Sequence, residues 1–160
     1  MIRIALVGYG KIAADQHVPA IDADPDFTLV ATVSRRGAGP AGIPAFHSIA
    51  ALRASGMEVD AVALCNTPAE RRETALEAIA AGWHLLLEKP PTITPDALAQ
   101  LAAAADAAGT ILFTAWHSRF AAAVPAAARL LAGRRIESLE VDWCEDVRKW
   151  HPGQAWIWNH

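Results

Sequence analysis

Residues 2–22, IRIALVGYGKIAADQHVPAID, constrain this chain more than any other stretch. Ile2, Ile4, Ala5, Leu6 and Val7 form a short apolar run, the pattern of a parallel strand buried on both faces. Gly8-Tyr9-Gly10-Lys11-Ile12-Ala13 follows at once, and Ala14 to Ile21 continues with helical spacing. Glycine turns after strands are common. A G-x-G-x-x-A set between a strand and a helix, however, is the setting of a dinucleotide-binding turn. Gly8 permits the tight bend, Gly10 lets the backbone approach a pyrophosphate, and Ala13 is small enough for close helix–strand packing. The helix start, which carries Lys11 and Ile12, presents unpaired N–H groups and a positive dipole end to the phosphates.

Phe27 to Val33, rich in β-branched residues and preceded by the turn signal Asp24-Pro25-Asp26, reads as the next strand. Dinucleotide folds commonly place an acidic residue at its end to hold the ribose hydroxyls. Here Ser34-Arg35-Arg36 stand instead, and a hydroxyl with a guanidinium suits a ribose phosphate. The cofactor expected is NADP or NAD. The plain alternative is a solvated loop with two ordinary arginines. A Gly/Pro-rich loop spans 37–44, and Ser48 caps a short helix through Ala54. Val59 to Cys65 is another buried strand, delivering Asn66-Thr67-Pro68 to the sheet edge where ligands collect. Thr67 and Pro68 then line the cofactor crevice, cap the following helix, or do both.

Trp83 to Leu87 is a strand that ends in Glu88-Lys89-Pro90-Pro91. A lysine between a buried strand and two prolines sits on stiffened backbone, which makes Lys89 the best catalytic candidate in the chain. It could equally pair with Glu88 or a helix terminus. Thr94-Pro95-Asp96 opens an alanine-rich helix that ends at Gly109, and Thr110 to Trp116 closes the strand set. Six strands with intervening helices are expected, a doubly wound Rossmann-type parallel sheet over 1–120. Residues 121–160 differ in character: a helix over Val124 to Ala132, then Ile136 to Val147 alternating as a half-buried antiparallel-type strand. This part reads as the first helix and strand of an incomplete α/β domain.

Composition narrows the function classes. With 53% hydrophobic and 19% charged residues over 160 positions, the chain is globular, not disordered. A net charge of −3 gives no electrostatic reason to expect nucleic acid. No charge-free apolar stretch reaches membrane-spanning length, no leader is recognised, and a cytoplasmic location is expected. Cys65, Cys144 and six scattered histidines show no ligand spacing, so no metal site is expected.

Together these residues resemble the Gfo/Idh/MocA oxidoreductases, whose marks are an N-terminal GxGxxA, a TP after the fourth strand and an EKP before a long helix. Here those marks are Gly8/Gly10/Ala13, Thr67-Pro68 and Glu88-Lys89-Pro90. Within the family, GYGKIAADQHVPAID, EKPP, TAWHSR and EDVRKWHPGQAWIW resemble bacterial aldose 1-dehydrogenases acting on D-galactose and L-arabinose. The resemblance implies oxidation of an anomeric hydroxyl to the lactone with hydride passed to NAD(P). It implies cofactor contacts from Gly8, Gly10, Lys11, Ile12, Ser34, Arg35, Thr67, Pro68, Glu88 and Lys89. Lys89 would also bind the sugar and assist proton removal, with His117, Glu145, Trp150 and His151 helping to hold it. Members run to about twice this length, so the resemblance implies an N-terminal portion, poorly active alone. It also implies homo-oligomers joined through the second domain. The alternative is a non-catalytic dinucleotide-binding or sensor module.

Overall fold

The computed structural model describes residues 1–142, 144–150 and 152–153. Residues 1–119 form one compact unit and 120–160 a second.

The first unit is built on six parallel strands: β1 (Ile2–Val7), β2 (Phe27–Val33), β3 (Ala45–Phe46), β4 (Ala61–Leu64), β5 (His84–Leu87) and β6 (Leu112–Thr114). They lie in the order β3-β2-β1-β4-β5-β6, every pair parallel. This is the doubly wound dinucleotide order, and the chain reverses direction across the sheet between β1 and β4. The six-strand expectation holds. Five strands lie where the continuous apolar runs put them, while the sixth, β3, given no range from sequence and only two residues long, follows the Gly/Pro-rich loop.

Both sheet faces are packed. On one, Ala5, Val7, Val33, Val62 and Leu64 meet Leu52, Ala75, Ile79 and Leu101 of the helices α2 (Ile49–Ala54), α3 (Pro68–Ala80) and α4 (Pro95–Ala108). On the other, Ile4, Leu6, Leu29 and Ala63 meet Ala13 and Ile21 of the first helical segment. That segment is unusual: a π-helical turn, Ala13–His17, runs into α1 (Val18–Ala23). Pro19 explains it. A proline ring inside an α-helix clashes with the carbonyl four residues back, and the wider turn relieves the crowding at Asp15. Val18 N–H accordingly donates to Ala13, five residues earlier.

Helix ends follow the sequence with one exception. Ser48 Oγ accepts the Ala51 N–H at 3.0 Å and Thr94 Oγ1 accepts the Ala97 N–H at 3.2 Å, as N-caps do. Thr67 stands at the cap position of α3, but its hydroxyl donates to Glu70 Oε2 at 3.1 Å instead. The hydroxyl is turned toward that carboxylate, a charged acceptor, and its oxygen accepts no N–H of the first turn.

At the amino edge of the sheet, Arg3 staples β1 to β4. Its Nε–H donates to Asp60 Oδ2 at 2.9 Å, its Nη2 to Oδ1 at 2.6 Å, and its backbone N–H to Oδ2 at 2.8 Å. Hydrogen bonds from the Arg3 side chain, and then from its backbone N–H, hold the Asp60 carboxyl well below the usual carboxylate range. A depressed carboxyl stabilises the fold above its ordinary value, 3.8 here, and loses that contribution as pH falls toward the folded value. The melting temperature is therefore expected to fall on acidification below about pH 4, and Asp60→Asn should flatten that acid limb. Thermal melts from pH 7 to pH 2.5 check this; parallel curves for the two proteins would contradict it.

In the second unit, α5 (Val124–Leu131) forms as its periodicity indicates. The strand expected over 136–147 does not form among the described residues. Residues 136–142 are irregular and exposed, and Val147–Trp150 is a short helix, α6. Alternation stabilises a strand only where a neighbour completes its ladder, and none of the described residues pairs with this stretch.

Candidate dinucleotide site

Because all six strands are parallel, their carboxyl ends share one edge, and a cleft of about 710 Å³ opens there. The glycine turn after β1 lines it between Ser34-Arg35-Arg36, after β2, and Asn66, Thr67 and Glu70, after β4. Gly8 has φ +88, and its N–H donates to Val33 at 2.8 Å. A Cβ placed there would lie 2.5 Å from the Asn66 nitrogen, so the turn runs against the backbone following β4. Gly10 differs. Its N–H donates to Gly8 at 3.2 Å, its carbonyl accepts from Ala14 at 3.0 Å, and an added Cβ would meet nothing within 4 Å. That glycine leaves open space at the cleft, as required for backbone to approach a phosphate. Ala13, completely buried, brings the helix close to the sheet behind it.

The loop after β2 is fastened from within. Ser34 Oγ accepts the Ala38 N–H at 2.7 Å and donates to the Ala38 carbonyl at 3.3 Å, and Thr32 Oγ1 reaches that carbonyl at 3.0 Å. Gly39 is required here because a Cβ would collide with the Thr32 hydroxyl. Arg35 leaves this loop with an 87% exposed side chain and pairs with Glu70 across the cleft at 3.2 Å. Across from it, Asn66 Nδ2 donates to Thr74 Oγ1 at 2.9 Å, and Thr74 spends its own proton on the Glu70 carbonyl at 2.7 Å. That chain fixes the amide orientation and leaves Asn66 Oδ1 a buried acceptor without a partner among the described residues. An open glycine cradle and an exposed guanidinium in one cleft fit a dinucleotide. Cys65, beside them, is pushed up to about 12 by burial and then by the Glu88 carboxylate, so it stays a thiol.

One strand further along the edge, β5 delivers Glu88-Lys89-Pro90, with Lys89–Pro90 cis. Two buried groups hold this turn. His17, on the π-helical turn, donates Nε2–H to Glu88 Oε1 at 2.9 Å, both side chains being largely buried at 12% and 14% exposure. Glu88 Oε2 accepts the Lys89 N–H at 3.1 Å. The His17 hydrogen bond, aided by that N–H, lowers the Glu88 carboxyl below its ordinary value. Beneath, Arg71 is 2% exposed and its guanidinium donates to the carbonyls of Glu88, Pro90 and Asn66. Burial lowers its pKa, opposed by the Glu88 carboxylate. Lys89 itself is exposed. The Ala115 N–H donates to Leu87 at 2.8 Å, and His117 follows on the short 3₁₀ turn His117–Phe120, so His117 leaves the strand beside that of Lys89.

Of the candidates named from sequence, Gly8, Gly10, Ser34, Arg35 and Thr67 line one cleft. Lys11 and Ile12 are exposed at the helix start, the Lys11 ammonium paired with Asp15. Pro68 opens α3 and lines a separate hollow of about 350 Å³ with Arg72 and Gln100. Glu88 and Lys89 stand outside the cleft lining, at the end of the next strand. In the second unit Glu145 is exposed just before α6, and Trp150 ends that helix, its side chain outside the description. His151 lies outside the described residues.

Sequence reasoning missed Asn66, Glu70, Arg71 and His17. Arg71 carried a signal: with Ala75, Ala78 and Ile79 it occupies the buried stripe of α3, where an arginine needs dedicated acceptors.

Comparison with known proteins agrees with this geometry. Residues 2–116 match the family model GFO_IDH_MocA, described as an oxidoreductase family with an NAD-binding Rossmann fold. The chain is 47% identical to a galactose 1-dehydrogenase from Pseudomonas fluorescens, covering 99% of this chain and 51% of that protein. A crystal structure of a D-galactose-1-dehydrogenase from Rhizobium etli superposes with TM-score 0.89 at 47% identity, covering 99% of this chain and 51% of the other. A 3-ketoreductase from Actinomadura kijaniata, solved with TDP-benzene and NADP, gives TM-score 0.72 at 27% identity, over 81% of this chain and 43% of that one. The chain thus spans about half the length of the galactose 1-dehydrogenases it matches. On its sheet order, its glycine turn and these matches, it belongs to the Gfo/Idh/MocA oxidoreductase family through that family's NAD-binding Rossmann fold.

Proposed function

We propose that the chain is the dinucleotide-binding portion of an NAD(P)-dependent aldose 1-dehydrogenase that oxidises the anomeric hydroxyl of D-galactose or L-arabinose to the lactone. Nucleotide binding belongs to residues 1–119, residues 120–160 begin the substrate domain, and sugar oxidation belongs to the whole protein. The observation that carries this reading is the Glu88-Lys89-Pro90 turn, immobilised by His17 and Arg71 on the same sheet edge as the glycine turn.

Gly8, Gly10 and the first helical N–H groups would hold the pyrophosphate, and Ser34 with Arg35 the adenosine ribose end. When bound, the cofactor supplies the hydride acceptor. Alcohol oxidation releases a hydride and a proton, and the protein must manage the proton. Lys89, two strands from the glycine turn, would hydrogen-bond the anomeric hydroxyl from within about 3 Å and assist removal of its proton. His117, on the adjoining strand end, would orient a second hydroxyl. The His17–Glu88–Lys89 N–H contacts fix the backbone from which Lys89 extends.

Fluorescence titration with NADPH should show saturable binding, with Lys89→Met changing its Kd by less than about threefold because Lys89 lies outside the cleft lining. Wherever aldose turnover is measured, Lys89→Met should lower kcat by about a hundredfold or more, the order lost with a group that assists proton transfer. No saturable NADPH binding would contradict the reading.

A further inference from the structure

We infer that Glu70 sets the balance between NAD and NADP by competing with a ribose 2′-phosphate for Arg35. The inference rests on the dinucleotide reading of the cleft and adds a residue that opposes one of the two cofactors. Both carboxylate oxygens of Glu70 are engaged: Oε1 by the Arg35 guanidinium at 3.2 Å, Oε2 by the Thr67 hydroxyl at 3.1 Å. Glu70 also sits in the first turn of α3, where the helix dipole favours an anion. The carboxylate is therefore anchored, whereas Arg35, 87% exposed, is the movable partner.

The end of β2 is where the adenosine ribose arrives in this fold. A 2′-phosphate there draws on a guanidinium, and Arg35, whose Nη1 is held by Glu70, would turn from that carboxylate to present its fork to the phosphate, with Arg36 lining the same cleft. Glu70 is then an uncompensated anion on the cleft wall, facing a group of charge about −1.5 to −2. Glu77 lines the same side and adds to the repulsion, while Glu73, also in the lining, is paired with Arg72 at 3.3 Å. NAD brings a neutral hydroxyl and leaves the Arg35–Glu70 pair intact. The arginine thus marks a site that accepts both cofactors, and the glutamate restrains NADP.

The test is direct binding of NADH and NADPH to the wild-type chain, Glu70→Gln, Arg35→Ala and the double variant. Glu70→Gln keeps an acceptor for Thr67 and removes the charge. It should tighten NADPH about fivefold to tenfold, from release of one exposed ion pair and relief of like-charge repulsion, with NADH shifting less than about twofold. Without Arg35 the same substitution should gain about twofold or less. An unchanged or weakened NADPH affinity in Glu70→Gln, or an undiminished gain in the Arg35→Ala background, overturns this inference alone. A wild-type chain that binds neither dinucleotide overturns the cleft assignment, and this inference with it.

Discussion

Gly8→Ala is expected to unfold the nucleotide site, whereas Gly10→Ala should leave the fold intact and remove only the ligand. The two glycines are separated by one residue and look equivalent in sequence. In the structure they are not. Gly8 holds φ +88, which an alanine adopts at a cost of about 1–3 kcal/mol, and its Cβ would lie 2.5 Å from backbone that cannot rotate away. The turn and the β4 end would have to separate, which should lower stability by about 3 kcal/mol or more. At about 2–4 °C per kcal/mol for a chain of this size, the melting temperature should drop by about 10 °C. Gly10 has no positive φ and open space where a Cβ would go. Alanine there should melt within about 2 °C of the natural chain, because a strain-free glycine replacement costs little and can even stabilise. Its methyl group nevertheless stands where a pyrophosphate must approach, and NADPH binding should weaken by about tenfold to a hundredfold. Thermal melts with NADPH titrations separate the two effects. Equal melting losses for both variants would show that the turn is built otherwise.

Arg71→Met should be the second severe change. A buried guanidinium is tolerated here because three backbone carbonyls, from Glu88, Pro90 and Asn66, accept from it. Methionine fills much of the volume and donates nothing, so three carbonyls lose their donor in a largely dry place. Each buried carbonyl left without its donor costs about 1–3 kcal/mol, so three of them should cost about 3 kcal/mol or more and lower the melting temperature by about 10 °C. Arg71→Lys should recover only part of this, since a single ammonium cannot present a planar fork to three acceptors. The loss should extend to the site. With Arg71 gone, the backbone under Lys89 keeps only the Glu88 contacts on one side, and amide exchange at Glu88, Lys89 and Thr92 should rise above that of the natural chain. A melting temperature within about 2 °C of the natural chain would show that the clamp is dispensable.

Much of the architecture was legible because parallel strands buried on both faces leave continuous apolar runs, and five of the six stood out in that way. β3 did not, since two residues make no periodicity; its pairing with β2 at Thr32↔Ala45 is a tertiary event. The alternating stretch after Ile136 misled for the converse reason: local pattern proposes a strand, but only a neighbouring ladder makes one. The glycine turn and the Glu88-Lys89-Pro90 turn could be placed from order along the chain alone, because a doubly wound sheet sends every strand end to one edge. What holds those turns could not. His17 and Glu88 are 71 positions apart, and no local signal pairs them. The Arg35–Glu70 contact was likewise hidden, since Arg35 alone suggested a phosphate and nothing nearby in sequence announced its rival.

The most direct test of the whole account is a crystal structure of this chain with NADPH. The pyrophosphate should rest on the backbone N–H groups at Gly8–Gly10, the 2′-phosphate should lie against Ser34 and Arg35, and the nicotinamide should reach toward the strand end that carries Lys89. A dinucleotide bound elsewhere with the glycine turn vacant, or one whose nicotinamide points away from Lys89 into solvent, would contradict it.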